Sequence, residues 1–415
     1  MIIQTKTDPV WRRFGMRYGP LDGYKEADFV IVGGGIVGSA LLYELSKAGY
    51  KTILLEKDKI GSSATGRSTG ILIPEDYEII TTAEQIGLDN ALLSYRTNIE
   101  TVKNFEQFAN EIGLTSYRKA GALSIILKGN RAKHLTDYAR NEIELRKKYG
   151  FPVPDLLGEE ARTHVGSPRV VAAMFYHGNE IGNVDPQELV DRLVFAAIID
   201  GGIAYENTTA TRINEKGEIE TDKGLVVSKR KIIIATGGVN LDGTFSNSII
   251  PGYGHVIATN PLTRNQRDSI GFGNNENAWT AGVHAYDYMR PTFDGRLVYG
   301  GQCVIARGRR PAPDKTSSRR FETLKEHMIE LFPTLDGVGI DNAWVGILAF
   351  SPDLAPVVEY GEKIDRIHSI TAAGIVKGLT ISRLMVEELK GEKPEYLRMI
   401  DSRRSTLRNR WHNSI

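Results

Sequence analysis

The chain has 415 residues, 41% hydrophobic and 25% charged, and its 52 basic and 51 acidic side chains leave a formal charge of +1. That length exceeds one small domain and allows one or two cores. The near-neutral balance gives no footprint for nucleic acid, and a single cysteine, Cys303, excludes an intrachain disulfide framework and reads as a buried or idle thiol.

Met1 to Lys25 contain Trp11, Arg12, Arg13 and Arg17 but no apolar h-region, so residues 1–25 are expected to be an extension rather than a secretory signal. No apolar run reaches the length needed to span a bilayer, and a cytoplasmic enzyme is expected.

The first ordered element is the β-rich run ADFVIV, Ala27–Val32. Gly33, Gly34 and Gly35 follow, then Leu41, Leu45 and Ala48 recur at helical spacing until Gly49. A second strand is predicted over KTILLE, Lys51–Glu56. Gly33, Gly35 and Gly38 therefore form G-x-G-x-x-G between a strand and a helix, and Glu56 follows Gly38 by eighteen residues. In this context the pattern points to a dinucleotide. Gly33 permits the tight turn, Gly35 the close approach of a pyrophosphate, and Gly38 the packing of helix on strand. The helix N-terminus offers free N–H groups to phosphate, and Glu56 can accept from ribose hydroxyls.

Three later segments favour FAD over NAD. GSSATGRSTG, Gly61–Gly70, is small, polar and suited to run beside a pyrophosphate and ribityl chain. KIIIATGG, Lys231–Gly238, is a buried strand breaking into a glycine turn. AAGIVKGL, Ala372–Leu379, opens an amphipathic helix whose Gly374 and Gly378 let amides approach a flat ring. Singly, each is also an ordinary loop; the order is what argues.

With these motifs the chain resembles the D-amino-acid-oxidase-like FAD oxidoreductases, which have a glutathione-reductase-type FAD domain. Gly33–Gly38 with Glu56 is similar to the family's fingerprint, and Gly61–Gly70 to its second FAD motif. VDPQELVDRLVFAAIIDGGIAYE (Val184–Glu206), KRKIIIATGGVN (Lys229–Asn240) and WVGILAFSPDLAPVVEY (Trp344–Tyr360) also resemble family patterns. The N-terminal extension, TGRSTG and YMRPTFDGRLVYGG (Tyr288–Gly301) look most like the gamma-glutamylputrescine oxidase-like branch. The resemblance implies an α/β fold: a Rossmann-like FAD domain plus an α+β substrate domain with a mostly antiparallel sheet covering the flavin. The FAD domain is expected over 26–75, 158–248 and 342–395, and the substrate domain over 76–157 and 249–341. In the first insertion, polar helical segments are predicted over Ala91–Ile112 and Asn130–Lys148. In the second, PGYGHVIATNPL and GVHAYDYMRPTFDGRLVYGGQ alternate like strands, with a hairpin at FDG, Phe293–Gly295.

The resemblance also implies a non-covalent FAD site. Its expected members are Gly33, Gly35, Ile36, Val37 and Gly38, then Glu56 and Lys57, then Thr65, Gly66, Arg67, Ser68, Thr69 and Gly70. Ala210, Ala235, Thr236, Gly237 and Gly346 follow, and Gly374, Ile375, Val376, Gly378, Leu379 and Thr380 complete it. Cys303 lies in GGQCVIARG, unlike the context of the cysteine that carries flavin in sarcosine-oxidase-like members. No metal site is assigned.

Flavin accepts hydride at N5, and its reduced form carries negative charge near N1 and C2=O, which needs a cation or aligned amides. Lys377 is the candidate cation; the other reading is a surface lysine. Tyr288 and Arg290 are placed on a strand facing the flavin, where Arg290 could hold a carboxylate bidentately or serve a surface salt bridge. Tyr253 and His255 could orient substrate or accept a proton, and His255 could equally be structural. Trp344 is expected in the core. Several amino-acid oxidases of the family place an arginine shortly after W-x-G; Ile347, Leu348, Ala349 and Phe350 stand there instead. The carboxylate is then held elsewhere, or the substrate has none.

The expected reaction is oxidation of a small amine or amino acid to an imine. The alternative is a 2-hydroxyacid or glycerol-3-phosphate dehydrogenase, whose phosphate version would need Arg290, Arg296, Arg307 and Arg310 to converge. A third reading is an FAD-binding subunit for assembly or electron relay. Oxygen, a quinone or a partner protein remain open as acceptor. The basic tail over 396–415, with Arg403, Arg404, Arg408, Arg410 and Trp411, reads as a frayed terminus or a peripheral contact to the inner face of a membrane.

Overall fold

A computed structural model describes residues 8–407 apart from 12–14, 16, 76–77, 179, 245, 272–280, 283–286, 307, 309–316 and 370–373. In chain order, β1 (Gly23–Val32), α1 (Ile36–Lys47) and β2 (Thr52–Leu55) come first. An excursion follows through α2 (Leu88–Lys103), β3 (Ala122–Leu127), α3 (Ala132–Tyr149) and β4 (Val170–Tyr176). The chain returns through β5 (Gly182–Asn183), α4 (Pro186–Ile199), β6 (Ile203–Tyr205) and β7 (Gly224–Ile234). The second excursion is β8 (Ile250–Thr259), β9 (Tyr288–Pro291), β10 (Leu297–Ile305) and α5 (Ser317–Leu331). It closes with β11 (Ile340–Phe350), β12 (Ile364–Ser369), α6 (Gly374–Leu389) and α7 (Glu395–Met399).

The sheet that carries the glycine turn has parallel strands in the order β12-β7-β1-β2-β6. Its central strands read as continuous apolar runs because helices cover them: Val30, Ile31, Ile53 and Leu54 are all fully buried. The small side of α1 lets it pack on both α4 and α6. The second excursion forms an antiparallel sheet in the order β9-β10-β8-β11. The expected FDG hairpin is present there, with the Thr292 N–H donating to Arg296 O at 2.9 Å and Gly295 at φ +82°. One face of this sheet packs on α5 through Ile257, Tyr299 and Leu297 against Phe321, Leu324 and Met328.

Two expected boundaries move. Residues 158–176, expected in the cofactor domain, include β4, which pairs with β3 of the first excursion. The chain rejoins the parallel-sheet layer only at β5 and α4. The expected helix over Ala91–Ile112 is broken at Asn104, between α2 and a short helix Phe105–Glu111. The expected tail is folded as far as residue 407. Tyr396, Leu397 and Ile400 are buried, and the Arg404 guanidinium pairs with the buried Asp353 carboxylate at 2.7 Å. Arg408, Arg410 and Trp411 lie outside the described residues. Among the described residues no helix is long and apolar enough to cross a membrane.

Candidate active site

The turn after β1 is built by exclusion of side chains. Gly33 has φ +110°, and a Cβ there would lie 2.5 Å from Ala235 O at the end of β7. A Cβ on Gly38 would lie 1.8 Å from Gly33 O. Only glycine lets α1 start this close to the strand, so the helix N-terminus opens at the C-terminal edge of the parallel sheet. Gly35 is its N-cap and supplies no side-chain acceptor. The Ile36 N–H donates to Thr65 Oγ1 at 3.0 Å, and Val37 and Gly38 precede the first intrahelical bond. At the end of β2, Glu56 accepts from the Gly34 N–H at 2.7 Å and the Asp58 N–H at 2.8 Å. Burial pushes its carboxyl upward. Lys57 is exposed, 3.9 Å from Asp58. Ala235 is hydrogen-bonded to Val32, and Gly237 stands at φ +64° with open space beside it. Ala210 points elsewhere: it is buried in the apolar cluster with Val30, Ile53 and Ile232.

Residues 61–70 run from this turn to the antiparallel sheet. The Trp344 indole donates to Arg67 O at 2.9 Å, and Arg67 donates to Val345 O at 3.4 Å and Ser62 O at 3.2 Å. A Cβ on Gly346 would lie 3.6 Å from Arg67 Cβ. At the far end, Gly70 O accepts from the Val184 N–H at 2.9 Å. Thr65, Gly66 and Thr69 are buried along this path.

Strand register decides which side chains of the sheet meet this loop. Val256 pairs with Trp344 and with Gly300; Gly254 pairs with Gly346; Tyr288 pairs with Gly300 and Arg290 with Val298. Directly paired residues share a face, so Tyr288, Arg290, Gly254, Gly346 and Trp344 lie together over the loop. The intervening residues lie on the α5 face. His255 is fully buried there, its Nδ1 2.9 Å from Gln302 O and its ring 5.6 Å from Phe321. Tyr253 belongs to the same apolar cluster. The expected roles of His255 and Tyr253 at the substrate therefore fail on geometry, since a period-2 strand turns alternate side chains away from each other.

Arg290 is 4% exposed. Its Nη2 donates to Val184 O at 2.8 Å, and its guanidinium lies 4.7 Å from the ring centre of Trp11. Its Nε has no partner, and no carboxylate among the described residues pairs with it. Burial pulls its pKa down to about 10, against a smaller opposing pull from the Asp185 carboxylate. Close by in the chain path, Ser68 Oγ and both amide atoms of Asn183 are buried and unpartnered. Unpaired buried polar atoms are costly, and their collection beside loop 61–70 fits a polar ligand. Asn183 and Trp11 are missed by sequence motifs; the one signal for Asn183 is its place just before the VDP helix start. Tyr288 lies over Gly300, where a Cβ would meet its ring at 2.3 Å. Burial pushes its hydroxyl well up, so it stays protonated.

Lys377 does not stand as a solvent-facing lysine or as an unpaired cation. It is 3% exposed and its ammonium lies 2.9 Å from Glu75 Oε2. Glu75 also accepts from Asn98 at 3.1 Å and from Ser94. Around it, Ile375, Val376 and Leu379 are buried, Thr380 is 2.7 Å from Thr101, and a Cβ on Gly378 would lie 3.1 Å from Ile36. Gly374 opens the helix.

Comparison with known proteins bears on the same residues. The profile of the family described as DAO, FAD dependent oxidoreductase, matches residues 28–388. The chain is 26% identical over 394 residues to the gamma-glutamylputrescine oxidoreductase of Escherichia coli, covering 92% of this chain and 88% of that protein. It is 25% identical over 396 residues to a probable oxidoreductase OrdL of Haemophilus influenzae, covering 92% and 87%. The solved L-proline dehydrogenase of P. horikoshii shares the fold with a TM-score of 0.73 at 22% identity, covering 92% of this chain and 97% of that one. A glycine oxidase from Bacillus cereus does so at 0.70 and 20%, covering 91% and 99%. With a profile match over most of its length, a glycine turn closed by Gly33 and Gly38, and an antiparallel sheet laid over the following loop, the chain belongs to the DAO family of FAD-dependent oxidoreductases.

Proposed function

We propose that this chain oxidises a small amine or amino acid to an imine, with a substrate carboxylate held by Arg290. The observation that carries the reading is the buried guanidinium on the sheet face over loop 61–70, which forms no ion pair among the described residues and leaves its Nε without a partner. Relatives named for gamma-glutamylputrescine and for glycine are consistent with an amine donor. FAD, when bound, supplies the hydride acceptor at flavin N5 and passes the electrons to oxygen, a quinone or a partner protein. Gly33, Gly35, Ile36, Val37 and Gly38 would hold its pyrophosphate, Glu56 and Lys57 the adenosine end, and Thr65–Gly70 the chain towards the ring. Ala235, Thr236 and Gly237 would flank the turn and Gly346 the ring. The backbone amides of Gly374–Lys377 would meet the charge of the reduced ring, because the Lys377 ammonium is already neutralised by Glu75. The cofactor is read as non-covalent: acid precipitation should leave the yellow colour in the supernatant, and a yellow pellet would overturn this.

Paired positions over the loop carry no carboxylate or imidazole. Tyr288 therefore orients the amine as a donor or acceptor and does not act as base. The substrate amine must arrive neutral: its lone pair forms C=N as hydride leaves carbon, and the resulting iminium then releases a proton to solvent to give the imine. The hydroxyl-donor alternative has less support. Arg296 is engaged by Asp294 and Asp341 at 2.7 and 2.6 Å, and Arg307 and Arg310 lie outside the described residues.

The test is anaerobic mixing of the holoprotein with amino acids, polyamines, 2-hydroxyacids and glycerol 3-phosphate. Bleaching of the flavin by an amine or amino acid is expected; bleaching by hydroxy compounds alone would overturn the proposal. Peroxide formed on admitting air would identify oxygen as the acceptor.

A further inference from the structure

The family match starts at residue 28, yet a residue before it reaches the candidate site. Asn342, at the start of β11, donates to Asp8 O at 3.1 Å. Val10 and Trp11 then pack on Val256, Ala258, Val298 and Trp344, which are on the same face as Arg290. The Trp11 indole N–H donates to Ser68 O at 2.8 Å, and its ring lies 4.7 Å from the Arg290 guanidinium. The extension thus crosses one half of the sheet face and ends on the loop next to the unpartnered atoms. The other half, with Gly254, Gly346, Leu348 and Tyr288, lies outside the cluster that Val10 and Trp11 form among the described residues.

We propose that Trp11 is a positioning and specificity-determining residue: it fixes the Arg290 guanidinium for an anionic group of the substrate and forms the end wall of the site. This rests on the reading of Arg290 as a carboxylate site. A guanidinium has one flat surface on each side and its N–H bonds in the plane. The Trp11 ring faces the guanidinium carbon at 4.7 Å, and Val184 O takes Nη2. Rotation of the side chain is opposed by both contacts, while Nε keeps its hydrogen for a ligand. The cation–ring contact replaces hydration there without neutralising the charge, as a carboxylate partner would. The anchor at Ser68 ties this arrangement to the loop expected to run along the cofactor. A substrate with a carboxylate would then end at Trp11 and extend from Arg290 toward Tyr288 and Gly346.

The experiment uses the FAD-loaded protein and two small probes, acetate and its neutral counterpart acetamide, with binding read from the flavin absorption spectrum. Wild type, Trp11→Phe, Trp11→Leu, Trp11→Ala and Arg290→Met are compared, and flavin content is measured for each. The expected result is that Trp11→Leu and Trp11→Ala weaken acetate at least tenfold, keep full flavin and leave acetamide unchanged. Trp11→Phe, which keeps a ring over the guanidinium, should stay within about threefold of wild type, in line with the modest worth of a single stack. If Arg290→Met abolishes acetate binding but Trp11→Leu binds it like wild type, the role of Trp11 is refuted and that of Arg290 stands. If acetate binds equally well to Arg290→Met, or does not bind the wild type, the carboxylate reading itself fails. Equal weakening of acetate and acetamide would mean that Trp11 only supports the fold, which also overturns the proposal. Trp11→Leu keeps an apolar cover over Val256 and Val298, so the test does not depend on Trp11→Ala folding.

Discussion

Replacing Arg290 with methionine should cost the protein little stability while removing its carboxylate site. Burial holds the guanidinium at about 10, roughly two to three pH units below an ordinary arginine. At about 1.4 kcal/mol per pH unit, keeping that charge at neutral pH costs roughly 3 kcal/mol. Methionine recovers this and loses two contacts: the stack on Trp11, worth roughly 1–2 kcal/mol, and the bond to Val184 O, worth roughly 1.5–3 kcal/mol. Gain and loss nearly cancel, so the change should stay within about 2 kcal/mol of zero. Arg146 is the control. It is 3% exposed and pairs with Glu142 at 2.7 Å and Glu180 at 3.2 Å; Arg146→Met leaves two buried carboxylates unpaired and should cost about 3–5 kcal/mol. Urea unfolding of the FAD-free proteins, followed by circular dichroism, measures both. A loss for Arg290→Met as large as that for Arg146→Met would show that the folded chain compensates the Arg290 charge. The argument for a ligand anion there would then collapse.

The same guanidinium sets a pH dependence. The charged form is the one that binds a carboxylate, so the KM of an amino acid divided by that of an amine of similar basicity without a carboxylate, a ratio in which the titration of the amine cancels, should be flat up to about pH 10 and rise about tenfold per pH unit above it; steady-state rates with the two substrates would check this, and a ratio that stays flat to pH 11 would contradict it. Gly38→Ala places a methyl 1.8 Å from Gly33 O, which forces α1 off the turn. It should cost about 1–3 kcal/mol and reduce flavin content, read from the ratio of visible to ultraviolet absorbance; wild-type content and stability would refute the close-packing account. Lys377→Met leaves Glu75 buried without its cation and should cost about 3–5 kcal/mol. Adding Glu75→Leu should recover most of that in thermal unfolding. If the double variant stays as unstable as the single one, the ion pair is not what Lys377 provides.

Local patterns in the sequence carried the nucleotide-binding unit. Strand, glycine turn, helix and Glu56 lie within about thirty residues, and Gly38 is required by a contact inside that unit, against Gly33 O, although Gly33 is also held by Ala235 O from β7. Period-2 alternation likewise located β8 and the FDG hairpin, because turn chemistry and strand period are set by neighbours in the chain. It could not say which of two alternating sets faced the loop. His255 and Arg290 were equal candidates until the register of β8 with β10 and of β10 with β9 put them on opposite faces. Lys377 read as a loop or cofactor lysine because its partner Glu75 is about three hundred residues away in sequence. Trp11 belonged to an N-terminal extension with no assigned role, and only packing brought it to Ser68 and Arg290. The family and its fold were therefore determined by short-range glycine and strand chemistry. The choice of substrate-side residues was decided by long-range pairing, where burial and counter-ions come from segments that no local pattern connects.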